Sequence, residues 1–367
     1  MIPVFEPSID NSDIQSVLRA LKSGEISGTY GSSISDFENQ FAKYCGCKHG
    51  VSVSSGTTAL HLSISALNIG PGDEVIISSS TNIATALAVY HNGAVVVPID
   101  SEKETWNMDV DLIEKAISPN TKAIIPVHLF GHPVDMPRLM AIAEKYDLKV
   151  IEDAAEAHGA QINGKTVGSF GDMACFSFYA NKIISTGEGG MIVTDDDHLA
   201  ARLRKLKNLA FEQPRFYHKE AGYNFRMSGM QAALGLSQLG KIEDFIRRKR
   251  RLAQAYNSML REVDFIETPI ERSWAKNVYW MYAVTIRSEN RINRDALCYY
   301  LREKGIDTRT FFCPMNRQPF LLNSHLMLET DCPIAEYIWE NGFYLPSSTN
   351  LKSSEIEHIC ETIKDYI

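Results

Sequence analysis

A single lysine, Lys182, lies between a short aromatic run, Phe176-Ser177-Phe178-Tyr179, and a glycine-rich turn, Thr186-Gly187-Glu188-Gly189-Gly190. Upstream, an apolar run ends in Val150-Ile151-Glu152-Asp153. A carboxylate at a strand end and a lysine on the following turn suit one chemistry. The amine can condense with an aldehyde cofactor, and the acid can keep a pyridine nitrogen protonated so that the ring draws off electrons. The pair Asp153/Lys182 therefore points to pyridoxal 5'-phosphate (PLP). Ser54-Ser55-Gly56-Thr57-Thr58-Ala59-Leu60 adds a glycine turn at a helix start, where free N–H groups and the helix dipole suit a phosphate. The Ser177 hydroxyl, on the strand before Lys182, is placed to reach the same phosphate. Taken singly, each piece has an ordinary reading: a Ser/Gly/Thr helix cap, an N-cap aspartate, a solvated lysine. Their order along one chain favours a cofactor site.

The bulk properties narrow the field. The chain has 367 residues, 44% hydrophobic and 22% charged, an ordinary globular composition. The net charge of -8 gives no reason to expect nucleic acid or an anionic membrane as partner. The seven cysteines form no C-x-x-C pair, and Cys45-Gly46-Cys47 is too tight for an ordinary bridge. They read as buried free thiols of a reducing cytosol. Met1-Ile2-Pro3-Val4-Phe5-Glu6-Pro7 has no basic region before an apolar core, so no signal peptide is expected. No apolar run is long enough to span a membrane. His132, His158 and His218 have no metal-ligand spacing.

The elements that must position these residues alternate. The patterns predict helices over 10–21, 57–67, 82–90, 136–146 and 199–208. Strands are predicted over 74–78, 95–99, 123–127, 149–151, 174–178 and 191–194. Such alternation implies an α/β fold whose mostly parallel sheet is sandwiched by helices, with ligands bound beyond the carboxyl ends of the strands. The pattern changes near residue 250. A long helix over 229–260 leads to strands over 279–287 and 306–311 and helices over 294–304 and 354–366. The expected division is a large cofactor-binding domain over 1–250 and a smaller α+β domain over 251–367. A nicotinamide-binding Rossmann enzyme is disfavoured, because no G-x-G-x-x-G follows the first strand.

Several stretches together resemble the DegT/DnrJ-type sugar aminotransferases, which have the type I (aspartate aminotransferase-like) PLP fold. They include Ser55-Gly56-Thr57, Gly72-Asp73-Glu74-Val75, Val127-His128-Leu129-Phe130-Gly131 and Glu152-Asp153-Ala154-Ala155-Glu156-Ala157-His158-Gly159. Thr186-Gly187-Glu188-Gly189-Gly190, Gly222-Tyr223-Asn224-Phe225-Arg226-Met227 and Gln231-Ala232-Ala233-Leu234-Gly235 complete the set. The resemblance runs nearly end to end. It implies that Lys182 is the Schiff-base lysine, that Asp153 pairs with the pyridine nitrogen and that Glu156 lies near the cofactor ring. It implies further that backbone at Gly56, Thr57 and Thr58, with Ser177, holds the phosphate. Asn224 is implied to reach the phosphate of a neighbouring subunit, which makes the active site shared across a homodimer. Relatives that dehydrate sugars at C3 have histidine where Lys182 stands, so the lysine favours transamination, with L-glutamate as donor and a nucleotide-linked keto sugar as acceptor.

Two places depart from the commoner pattern. Asn82 stands where many relatives carry an aromatic that stacks on the pyridine ring. Asn316, in Pro314-Met315-Asn316, stands where many have a histidine; it can hydrogen-bond but not titrate near neutral pH. Tyr30, in a glycine-containing loop, joins His128, Arg309 and Asn316 as candidate substrate contacts. The opening Ile2-Pro3-Val4-Phe5-Glu6-Pro7-Ser8 and Glu156 look most like the members that aminate C4 of GDP-4-keto-6-deoxy-mannose. The alternatives are a relative acting at C3 or C4 of a UDP- or dTDP-linked sugar, a dehydratase, and a ligand-sensing relative without catalysis.

Overall fold

The computed structural model describes residues 1–290 and 292–366. Seven strands form the central sheet: β1 (His49–Val53), β2 (Glu74–Ser78), β3 (Val95–Ile99), β4 (Thr121–Ile125), β5 (Lys149–Asp153), β6 (Met173–Ser177) and β7 (Gly190–Thr194). Their order is β1-β7-β6-β5-β4-β2-β3. β7 runs antiparallel to both neighbours, and every other pairing is parallel. Successive side chains of a strand face opposite ways, and here each strand feeds two cores. Ile76, Ile124 and Val150 enter one apolar cluster with Phe41 and Phe176, while Val75, Ile77, Ile125 and Ile151 enter the other with Leu60 and Leu62. Burial on both faces explains the unbroken apolar runs of β2 and β3.

The first helix, Asn11–Lys22, is capped by Asp10 in a reciprocal box with Asp13. A helix over Ser33–Cys45 and strand β1 have no counterpart in the sequence reading. The long helix expected over 229–260 is two helices, Gly229–Leu239 and Ile242–Leu260. The break falls at Gly240 and Lys241, and the Lys241 amine bonds back to the Asp13 carboxylate at 2.7 Å, tying the break to the first helix.

Beyond it lies an antiparallel four-stranded sheet of Ile266–Glu267, Tyr282–Ile286, Gly342–Leu345 and Arg309–Thr310. The boundary expected near residue 250 is crossed in several places. Ile2 N–H donates to Gly305 O at 2.7 Å and Ser347 N–H donates to Val4 O at 2.8 Å, so the first residues are sewn to the C-terminal sheet. Ala275–Lys276 pairs with Gln161–Ile162. The outer edge of β3 is capped by a late segment: Val96 N–H donates to Leu326 O at 2.8 Å and Leu328 N–H donates to Val96 O at 2.9 Å. Among the described residues no helix is long and apolar enough to cross a membrane.

Candidate active site

The carboxyl ends of β5 and β6 and the start of the helix Gly56–Ala66 converge on one cavity of about 290 Å³. β5 delivers Asp153 and β6 delivers Ser177. The turn after Tyr179 delivers Lys182, whose N–H donates to Tyr179 O at 2.9 Å. Gly56, Thr57, Asn82, Asp153, Glu156, Ser177 and Lys182 all line this cavity. A larger cleft of about 430 Å³, bordered by Glu102, Asp111, Arg138 and Arg272, holds none of the candidate residues.

The helix start is shaped for a small anion. Ser55 Oγ accepts the Thr58 N–H at 3.1 Å and the Ser55 N–H donates to Thr58 Oγ1 at 3.0 Å, a reciprocal cap. The Gly56 and Thr57 N–H groups have no acceptor among the described residues. Gly56 lies against Ser177, and a Cβ there would stand 2.7 Å from the Ser177 Cβ, so only glycine lets the helix start and the β6 hydroxyl share this corner. Thr58 differs from expectation: its N–H already serves the cap and it does not line the cavity.

Asp153 is buried, and its two oxygens accept from the Thr85 hydroxyl at 2.8 Å and the Ala155 N–H at 3.2 Å. Burial raises its pKa, and the hydrogen bonds from Thr85 and Ala155 and the charge of Lys182 only partly offset this. A carboxylate short of positive charge is suited to a pyridinium nitrogen. Thr85 is itself 2.9 Å from Thr81 Oγ1. The Lys182 amine lies 3.9 Å from Glu156 Oε1. Burial pulls the lysine down and pushes Glu156 up, so neither group is firmly charged without the other. Glu156 Oε2 accepts the N–H of Phe130 at 2.9 Å. Phe130 holds a left-handed φ of 52°. Its ring is fixed by near-parallel Trp280 and Phe312, at 6.4 and 5.9 Å between centroids. The Trp280 face lies 3.8 Å from the Lys182 Nζ. Amine, carboxylate and anion-binding helix start thus share one cavity, which fits PLP. Asp153 would hold its ring nitrogen, Gly56, Thr57 and Ser177 its phosphate, and Lys182 its aldehyde carbon.

Asn82 caps the helix Ile83–His91, its Oδ1 accepting the Ala84 N–H at 3.0 Å, and it lines the cavity without an aromatic ring. The large aromatic side chains that line the cavity are Tyr179, Trp280, Phe312 and Tyr344.

The other expected contacts lie elsewhere. His128 is fully buried; its Nδ1 accepts the Val134 N–H at 3.0 Å and its Nε2 donates to Glu152 at 3.1 Å. It is a structural residue, not a substrate contact, because both ring nitrogens are engaged inside the protein. Asn316 also has both amide ends engaged, with Ser79 at 3.2 Å and Glu336 at 2.7 Å, and it does not line the cavity. Arg309 is exposed and paired with Asp307 at 2.6 Å, although its strand neighbour Tyr344 does line the cavity. Tyr30 is 64% exposed and outside the cavity. Asn224 is exposed and likewise outside the cavity of its own chain. The sequence reading missed Thr85, Trp280 and Glu152. Glu152 is fully buried and accepts from the backbone of Gly168, Phe170 and Gly171 at 2.8–2.9 Å as well as from His128.

The family model described as the DegT/DnrJ/EryC1/StrS aminotransferase family matches residues 7–364. The chain is 40% identical over 360 residues to the GDP-perosamine synthase of Caulobacter vibrioides, covering 98% of this chain and 96% of that one. It is 40% identical over 366 residues to the GDP-perosamine synthase of Escherichia coli O157:H7, covering 100% and 98%. Among solved structures it is similar to S. venezuelae DesV, with a TM-score of 0.90 and 36% identity, covering 96% of this chain and 94% of that one.

Proposed function

The chain belongs to the DegT/DnrJ/EryC1/StrS aminotransferase family, and on that premise we propose that it carries the amino group of L-glutamate to C4 of GDP-4-keto-6-deoxy-D-mannose, forming GDP-perosamine. The class, a PLP-dependent sugar aminotransferase, comes with the family. The observation that carries the reaction type is the Lys182 amine in the cavity that Asp153 and Glu156 also line, 3.9 Å from Glu156 Oε1. The GDP-linked sugar is supported by the two end-to-end relatives of that name.

Bound PLP supplies the electron sink for the carbon that loses or gains its proton. The protein's residues do the rest. Asp153 Oδ1 and Oδ2, fixed by Ala155 and Thr85, keep a negative charge opposite the ring nitrogen. The N–H groups of Gly56 and Thr57 and the Ser177 hydroxyl anchor the phosphate end. Lys182 Nζ, brought by burial toward its neutral form, takes the proton from the glutamate carbon and returns one to the sugar carbon. Glu156 balances the charge on that amine. The aromatic wall of Trp280, Phe312 and Tyr344 excludes water while the proton moves.

Asn224, exposed on its own chain, supports a site completed by a second copy, with Asn224 reaching the neighbour's phosphate. The seven cysteines are all unbridged, which supports a cytoplasmic setting. An amino-deoxy sugar of this kind is suited to surface polysaccharide, including the O-antigen of lipopolysaccharide.

The test is a panel of GDP-, UDP- and dTDP-linked 4-keto-6-deoxy sugars with 15N-glutamate, read by product NMR. Nitrogen should appear at C4 of the GDP sugar, and Lys182→Ala should abolish both transfer and the visible absorbance of bound cofactor. Amination of only a UDP or dTDP sugar would overturn the substrate; a wild-type protein that takes up no cofactor would overturn the class.

A further inference from the structure

Trp280 touches the lysine-bearing turn twice. Its indole N–H donates to the Asn181 carbonyl at 2.7 Å, and its ring face lies 3.8 Å from the Lys182 amine. Trp280 is almost fully buried, so the N–H bond is shielded from water. The tryptophan is in turn held from behind. Lys249, on the helix Ile242–Leu260, is fully buried, and its amine donates to the Trp280 carbonyl at 2.8 Å and to the Ser347 carbonyl. The Phe130 ring lies near-parallel to the indole, and its backbone N–H donates to Glu156. A side chain from the C-terminal part of the molecule therefore fixes both the peptide next to the reactive lysine and the amine itself.

We propose that Trp280 is a positioning residue for Lys182: through the Asn181 carbonyl and its ring face it sets the place and direction of the amine that must meet the cofactor aldehyde. The inference rests on the PLP-dependent reading of the site. When the lysine nitrogen joins the aldehyde carbon, one water leaves, and the rate depends on how well the amine is aimed. Binding of the phosphate and ring does not depend on that aim. The two can be separated, because pyridoxamine 5'-phosphate carries the same ring and phosphate but no aldehyde, and cannot join the lysine.

The experiment uses cofactor-free full-length protein and two variants. Trp280→Phe keeps a ring over the amine and removes the N–H; Trp280→Leu removes both. Stopped-flow absorbance follows covalent capture of PLP, and calorimetry measures the affinity for pyridoxamine 5'-phosphate. Capture should slow about tenfold in Trp280→Phe, the size expected when one buried hydrogen bond is lost, and further in Trp280→Leu. The affinity for pyridoxamine 5'-phosphate should stay within about twofold of wild type, because the groups that hold ring and phosphate are intact. Unchanged capture in both variants would overturn the proposal. So would capture and pyridoxamine 5'-phosphate affinity falling together, the mark of a merely structural role. Neither measurement contains glutamate or a sugar, so an error in the assigned substrate would leave this result untouched.

Discussion

The carboxylate of Asp153 depends on a hydroxyl from another element. Thr85 lies on the helix after β2 and reaches Asp153 Oδ2, with Thr81 behind it. Thr85→Val keeps the shape and removes the donor, so Asp153 should lose its orientation and hold the cofactor nitrogen less firmly. A loss of about 1–1.5 kcal/mol is expected, near tenfold in PLP affinity; Thr85→Ser should restore it. Fluorescence titration of cofactor-free protein decides the point, and equal affinities for Val and wild type would refute it. At this scale the sequence exposed Asp153 and Lys182 because each sits at a strand end or its following turn, positions that local pattern reveals. Thr85 and Trp280 were hidden, because each meets its partner only through the fold, across about seventy to a hundred residues of chain. His128 misled for the opposite reason. Its place after a strand end suited a ligand contact, yet its partners Val134 and Glu152 are internal.

The elements place these side chains by buried polar anchors as much as by apolar packing. Glu152 ties β5 to the loop of Gly168–Gly171, and Lys249 ties the helix Ile242–Leu260 to the segments of Trp280 and Ser347. Burial without a carboxylate partner pulls the Lys249 amine down to about 7 from its usual value near 10.5. Between those values the unfolded chain binds more protons than the folded one, so this group makes stability rise as pH increases from about 7 toward 10. Lys249→Met should remove that contribution. The difference between variant and wild-type unfolding free energies should change by up to about 1.4 kcal/mol per pH unit across the window. Denaturant titrations at several pH values measure it, and a pH-independent difference would contradict the assignment. The alternation of helices and strands was legible because buried parallel strands read as unbroken apolar runs. The break at Gly240 and Lys241 was missed, although Gly240 is a poor helix former and caps the first of the two helices; the Lys241 bond to Asp13 in a distant helix accompanies it.

On the scale of the molecule, the proposed sharing of active sites has a direct consequence. Lys182→Ala and Asn224→Ala should each be inactive or nearly so as separate proteins. Mixed in one dimer, they place both defects in one site and neither in the other. Co-expressed, differently tagged variants purified as heterodimers should regain roughly half the wild-type rate per dimer, as independent sites predict; no recovery would place Asn224 within its own chain's chemistry. The expected split near residue 250 did not foresee the threads that cross it, since contacts such as Ile2 with Gly305 leave no periodic trace. One of those threads bears on biosynthesis. The outer border of β3 pairs with the segment around Met327, which the ribosome makes long after the strand itself. Until that segment is made, the β3 margin has no partner on that side, and an unpaired margin is a template for pairing with other chains.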